Sequence, residues 1–391
     1  MVNLITFEPP AAADTAPSCA LSLLDPAGLG PLPRVPLIPE ATRRRHRVLV
    51  PADHRFKAAA RFLQALWRED RDLPIGHHSD GKHQPFPLGS RIGATAGRRG
   101  ANFLHPDIAA VAARALAYRE PGAAYDVERL RTNLLSSQPL AFNLFGLLAR
   151  DLTLATRFMA EFMPGLLREV TTIAFEHSPG RGDPRFTADG TAFDVVVRGR
   201  TDTGERLFVA IEVKYSESGA EPVPRISPRY GQIAPATNLF VAPDGAALVT
   251  NPCQQLFRQH CLAATMLSAG LADRAVLAFV APAHNQLATA AALTYSRHLH
   301  NAEAGPIPFV YPTLEHAIAC IAGAGLPEHA RALHRRYTDW WLVDGELQLD
   351  ISPKPAKQPQ APKPFVAAPA HPTTAAPSPR KRRSARTRQA A

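Results

Sequence analysis

The sequence predicts a mixed α/β fold: an α-β-β-β-α-β core with a mixed sheet, a helical subdomain before it and helices after it. Three observations predict this. Apolar residues recur at helical spacing over residues 53–67 and 106–118. Three short runs rich in β-branched and aromatic residues follow between 171 and 215. A helical stretch after residue 251 then leads to one more apolar run at 275–281. With 46% hydrophobic and 20% charged residues, the 391-residue chain can bury a substantial core, which excludes global disorder. Its length suits one large or two ordinary domains. The apolar runs fall far short of the roughly 18 residues that span a bilayer, so neither a transmembrane helix nor a membrane partner is expected.

In chain order, residues 1–46 carry eight prolines that interrupt any sustained period and read as a Pro-rich, loosely ordered arm. Residues 47–136 form the N-terminal helical subdomain, its first two helices separated by a Gly-rich loop over 89–100. The core spans 137–282. Its first helix begins near Ser137, with Pro139 placed early where the missing N–H is harmless. Phe142, Leu144, Phe145 and Leu148 make that helix apolar nearly all round, hence buried. Strands follow at 171–175, 192–197 and 207–215, the last two joined by the turn Thr201-Asp202-Thr203-Gly204. Asn251 caps and Pro252 opens the next helix, which runs to Leu267 and stops at Gly270 before the fourth strand at 275–281. A C-terminal helical extension covers 283–351, with one helix opened by Thr313 and another over 327–340.

The net charge of +10 is unevenly placed. Residues 352–391 hold nine basic side chains and no acidic ones among prolines and alanines, so the first 351 residues carry only about +1. That segment is too poor in apolar residues to fold alone and reads as a disordered basic tail. Its Arg380, Lys381, Arg382 and Arg383, like the run Arg43-Arg44-Arg45-His46-Arg47, suit sequence-independent phosphate contacts or simply solubilise the chain. Four cysteines without a Cys-x-x-Cys pair suggest a reducing compartment, and the N-terminus lacks the basic start and continuous apolar core of a secretion signal. A cytoplasmic location is expected. His77, His78 and His83 lack Cys partners and regular ligand spacing, so no zinc site is expected there.

The chemistry lies in the second and third strands. A hairpin centred on Thr203 pairs residues whose numbers sum to 406, which sets Asp194 opposite Glu212. Lys214 shares the face of Glu212, roughly 7 Å along the strand. Two carboxylates facing each other among apolar neighbours repel unless a cation lies between them. A hard divalent ion such as Mg²⁺ (or Mn²⁺) meets that need, with Asp194, Glu212 and the Val213 backbone carbonyl as oxygen ligands. Such a site suits phosphodiester hydrolysis, with Lys214 orienting or activating the attacking water.

Lysine usage sharpens the point. The chain has 7 Lys against 37 Arg, and only Lys57, Lys82 and Lys214 precede the tail. A generic positive charge at position 214 would be Arg in this composition; Lys exchanges a proton far more readily. The competing explanation, a strand-end salt bridge on a solvated face, fits poorly beside Ile211 and Val213.

Asp194 and Glu212-Val213-Lys214, in this element order, resemble the PD-(D/E)XK nuclease superfamily. The segments Asn133-Leu134-Leu135-Ser136-Ser137-Gln138-Pro139-Leu140 and Phe142-Asn143-Leu144-Phe145 resemble a bacterial restriction-endonuclease-like branch of it. The resemblance covers about residues 137–282 and implies a restriction-endonuclease-like core. Phe193 stands where the motif has Pro, a position that varies widely in the superfamily. Other residues carry two readings each. Glu176 is a further metal ligand, a holder of an outer water, or a solvated strand end. Gln255 and Arg258, three apart on one helix face, reach one phosphate or support Lys214. Gln138 and Asn143 support the site or satisfy nearby backbone.

The sequence thus points to a metal-dependent nuclease acting on DNA. The alternative is a noncatalytic nucleic-acid-binding protein that keeps the fold. Oligomeric state stays open, a homodimer included, as do the DNA structure cut and endo against exo cleavage.

Overall fold

The computed structural model describes residues 28–79, 84–219, 221 and 224–351, so the basic tail, residues 1–27, Lys82 and His83 lie outside the described residues. Thirteen α-helices and seven strands occur among the described residues. Before the core come α1 (Glu40–Arg45), α2 (Arg55–Glu69), the hairpin β1 (Ile75–His78) and β2 (Phe86–Ile92), α3 (Ala94–Arg98), α4 (Pro106–Ala117) and α5 (Val127–Thr132). The core comprises α6 (Ser137–Arg150), α7 (Leu152–Phe162), β3 (Glu169–His177), β4 (Phe193–Arg200), β5 (Arg206–Val213), α8 (Tyr230–Ala236), α9 (Gln254–Ser268) and β6 (Arg274–Val280). It is followed by α10 (Gln286–Ser296), β7 (Phe309–Val310), α11 (Leu314–Gly323), α12 (Pro327–Tyr337) and α13 (Trp340–Ile351).

The main sheet runs β3-β4-β5-β6-β7. Its first three strands are antiparallel, while β6 and β7 join in parallel. Both faces are covered. Val195, Val197, Val209, Ile211 and Val213 join the core that α6 and α7 build with α2 and the C-terminal helices. Val196, Phe208, Ala210 and Leu277 join the core under α9 and α10. Burial on both faces explains why these strands read as continuous apolar runs rather than alternating ones. Two charges stand out against that background: Glu212 near the end of β5 and Lys214 just after it.

Several sequence expectations meet corrections here. The Gly-rich segment 89–100 is not a loop between helices, because it contains the end of β2 and all of α3. Its glycine has a packing reason: a Cβ on Gly89 would lie 2.2 Å from the His46 carbonyl oxygen. Within the arm read as loosely ordered, Val35 and Ile38 are buried in the main core and Glu40–Arg45 is helical, while Leu29 and Leu37 are exposed. Asn251 does not cap α9. Its amide donates to the Glu221 carbonyl at 2.8 Å, a turn on the Thr250 carbonyl intervenes, and the helix opens at Gln254. By contrast, Ser136 caps α6 by accepting from the Gln138 N–H, and Thr313 caps α11 by accepting from the His316 N–H. An extra helix, α7, follows α6 at once because Asp151 accepts from the Thr153 and Leu154 N–H groups and starts a new helix.

Candidate active site

The β4–β5 ladder pairs Val195 with Ile211, Val196 with Ala210, and so on to Arg200 with Arg206. All these numbers sum to 406, and one step further the same register sets Asp194 opposite Glu212. There the ladder is closed by a side chain: the Val213 N–H donates to Asp194 Oδ2 at 2.8 Å. On the other side, β3 pairs Phe175 with Val195 and His177 with Phe193, which brackets Glu176 opposite Asp194. Three carboxylates on three neighbouring strands therefore form one row.

Lys214 follows the last residue of β5, its N–H bonded to the Val280 carbonyl on β6 at 2.8 Å. Its Nζ lies 2.6 Å from Glu212 Oε1 and donates to Gln255 Oε1 at 2.7 Å. Glu212, with a side chain only 2% exposed, is gripped from α9: Gln255 Nε2 donates to Oε1 at 2.6 Å and Gln259 Nε2 to Oε2 at 2.5 Å. Gln259 also donates to the Ala192 carbonyl at 3.0 Å, tying the residue before β4 to the same frame.

This corner is short of positive charge. Burial, then the charges of Glu212 and Glu176, raises Asp194 well above the ordinary carboxylate range, against the opposing Lys214 and Val213 N–H. Burial, then Glu212, pushes Glu176 up to about 7, although Arg181 and the Gln138 amide oppose. For Lys214, burial favours the neutral amine, but Glu212, Asp194 and Glu217 outweigh it and hold the pKa above the usual lysine value. Lys214 is thus an ammonium in this setting.

The sequence model of the PD-(D/E)XK nuclease superfamily matches residues 51–339. The chain belongs to the PD-(D/E)XK nuclease superfamily. No curated protein and no solved structure matches it. The matched span takes in α2 and α12 as well as the sheet, so the nuclease-family region is wider than the core at 137–282.

Around the nuclease motif, the supporting candidates divide. Gln255 touches both Glu212 and Lys214. Arg258 does not: its Nη2 donates to Asp189 Oδ2 at 2.7 Å and its Nε to Thr191 Oγ1 at 3.1 Å, bracing the segment that leads into β4. Gln138 lies beside Glu176, its Nε2 donating to the Ala124 carbonyl at 3.1 Å, and its buried Oε1 has no partner among the described residues. Asn143 belongs to the scaffold, accepting from the Leu104 N–H and donating to the Asn102 carbonyl and the Tyr337 hydroxyl. Arg380, Lys381, Arg382 and Arg383 fall outside the described residues.

Sequence reasoning missed Gln259 and Glu217. Gln259 lies four residues after Gln255, the helical spacing that shares a face just as three does. Glu217 accepts from the Tyr215, Ser216 and Ser137 N–H groups and from Arg129, locking the turn after Lys214 onto the start of α6. With four donors it is a structural cross-link.

Among the described residues, no three His, Cys, Asp or Glu side chains form a ready-made ion cage. The donor set nevertheless fits a hard divalent ion. All the acidic donors are oxygen, Asp194 Oδ1 has no donor among the described residues, and a divalent charge relieves the repulsion that drives Asp194 and Glu176 toward protonation.

Proposed function

We propose that the protein is a Mg²⁺-dependent or Mn²⁺-dependent deoxyribonuclease of restriction-endonuclease-like fold, with Asp194, Glu212 and the Val213 carbonyl as metal ligands and Lys214 as the cation beside the reacting phosphate. The observation that carries this reading is the convergence of Asp194 and Lys214 on Glu212, in a buried corner where carboxylates outnumber cations. Membership of the nuclease superfamily supports a nucleic-acid substrate. When bound, a divalent ion supplies a polarised phosphoryl oxygen and a water of lowered pKa.

The chain's own residues do the rest. Gln255 and Gln259 fix the Glu212 carboxylate, leaving a lone pair on Oε2 free for a ligand role. The Val213 N–H fixes Asp194. Lys214, held as an ammonium, is a donor that orients a water or a phosphate oxygen rather than a base that takes a proton. Glu176, with its pKa near neutrality, is the group in the row able to exchange a proton around pH 7.

The test is incubation of the full chain with supercoiled, linear, branched and single-stranded DNA plus Mg²⁺, beside Asp194→Ala. Cleavage of at least one substrate, lost in the variant, is expected. No cleavage of any, together with retained nucleic-acid binding, supports the noncatalytic alternative. Among the described residues no helix is long and apolar enough to cross a membrane. Cys253, Cys261 and Cys320 are free and buried, which fits the cytoplasmic reading.

A further inference from the structure

The turn after β3 is built around one buried guanidinium. Arg181, its side chain 7% exposed, donates from Nη2 to the Glu176 carbonyl at 2.6 Å and from Nη1 to Glu120 Oε2. The same Nη2 lies 3.9 Å from the Glu176 carboxylate. Glu120 comes from the connection between α4 and α5. Its Oε1 pairs with His177 Nδ1 at 2.5 Å, and its Oε2 also accepts the Ser178 N–H at 2.9 Å. Three points of one turn converge on a single carboxylate from a distant segment. That segment packs directly on the Arg181 stem, since a Cβ on Gly122 would lie 3.4 Å from Arg181 Cδ.

Glu176 itself has φ of 49°, the left-handed region that is unfavourable for a residue with a side chain. A strand residue released from restraint returns to negative φ, and its side chain then leaves the row. We propose that Arg181, anchored by Glu120, is the positioning residue for Glu176: it holds the left-handed turn that keeps this carboxylate facing Asp194 and Glu212. The inference rests on the metal-site reading above and assigns Glu176 to that site through the Arg181–Glu120 anchor.

The test measures Mn²⁺ affinity of the metal-free protein by titration calorimetry, with amide exchange at Ser178 as a readout that needs no metal. Arg181→Met is expected to weaken Mn²⁺ binding about tenfold, the scale of a lost supporting hydrogen bond at a metal site, and to speed exchange at Ser178. In a Glu176→Gln background the same substitution is expected to leave Mn²⁺ affinity unchanged. An equal loss in both backgrounds, or no loss in either, overturns the positioning role. Should Arg181→Met fail to fold, Glu120→Gln keeps an acceptor for Ser178 while removing the charge that anchors Arg181. The same dependence on Glu176 is then expected, and its absence overturns the role. Asp194→Ala separates the two failures. If it retains Mn²⁺ affinity, the metal-site reading falls and takes this proposal with it; if it loses Mn²⁺ while Arg181→Met does not, only the positioning role falls.

Discussion

Asp194 and Lys214 bear opposite charges beside the same Glu212, so removing them has opposite consequences for a cation. Asp194→Ala removes an oxygen ligand and is expected to lose Mg²⁺ or Mn²⁺ binding and cleavage together. Lys214→Ala removes a competing positive charge, so metal affinity holds or rises while cleavage falls about 100-fold or more. Calorimetric titration beside a plasmid-cleavage assay reads both. Lys214→Arg is the sharper variant. The Lys214 tip fits between Glu212 Oε1 at 2.6 Å and Gln255 Oε1 at 2.7 Å, a slot for a compact ammonium that a planar guanidinium overfills. It is expected to stay nearly inactive, and full cleavage by it would show that position 214 needs only a cation. These residues were legible in the sequence because a short hairpin sets its own register. Gln259 was not, because residues three and four apart share a helix face and only the packed sheet decides which one meets Glu212.

At the scale of elements, α9 sends its polar side chains to different partners. Gln255 and Gln259 bond Glu212 in the carboxylate row, whereas His260, fully buried, bonds through Nδ1 to the Tyr295 hydroxyl at 2.8 Å and through Nε2 to the Ile307 carbonyl at 2.9 Å. Burial lowers its pKa to about 4, against the opposing Ile307 carbonyl. The unfolded chain takes up this proton near pH 6.5 and the folded one only near 4. Between those values the unfolded state binds more protons, so the contribution is present above pH 6.5 and is lost as pH falls, by about 3 kcal/mol at most. Urea unfolding of the metal-free protein at pH 7 and pH 4.5 should show a larger loss for the native chain than for His260→Gln. Equal losses would mean that His260 is already protonated when folded.

At the scale of the molecule, α12 is tied to α2 and the segment after α3 by a guanidinium with no carboxylate partner among the described residues. Arg336 is fully buried. It donates to Gln64 Oε1, the Asn102 carbonyl and Asn102 Oδ1, and it lies 4.2 Å from the Trp67 ring. Gln64 in turn donates to the Tyr215 hydroxyl at 3.1 Å, next to Lys214 in sequence. Arg336→Met leaves Gln64 Oε1 and Asn102 Oδ1 buried without these donors, while the Asn102 carbonyl keeps Asn143, and should cost about 3 kcal/mol in a denaturant titration. An unchanged midpoint would show that water replaces the guanidinium. The basic tail acts on a different observable. Each phosphate neutralised on duplex DNA contributes about −0.9 to the slope of log K against log salt. Deleting residues 352–391, with their nine basic side chains, should flatten that slope by several units. An unchanged slope would make the tail a linker.

The sequence by itself determined the strand runs, the hairpin register summing to 406 and hence the meeting of Asp194, Glu212 and Lys214. Each of these follows from neighbours along the chain: side-chain period, a four-residue turn and antiparallel pairing. Only the tertiary structure decided that Glu176 joins the row, that Arg258 braces Asp189 instead of Lys214, and that Val35 and Ile38 join the core. It also brought Glu120 to Arg181, 61 residues apart in sequence. The physical reason is common to all four. What a side chain meets, whether an apolar core or a polar partner, depends on where distant segments return to the sheet, a choice that no local period or propensity contains.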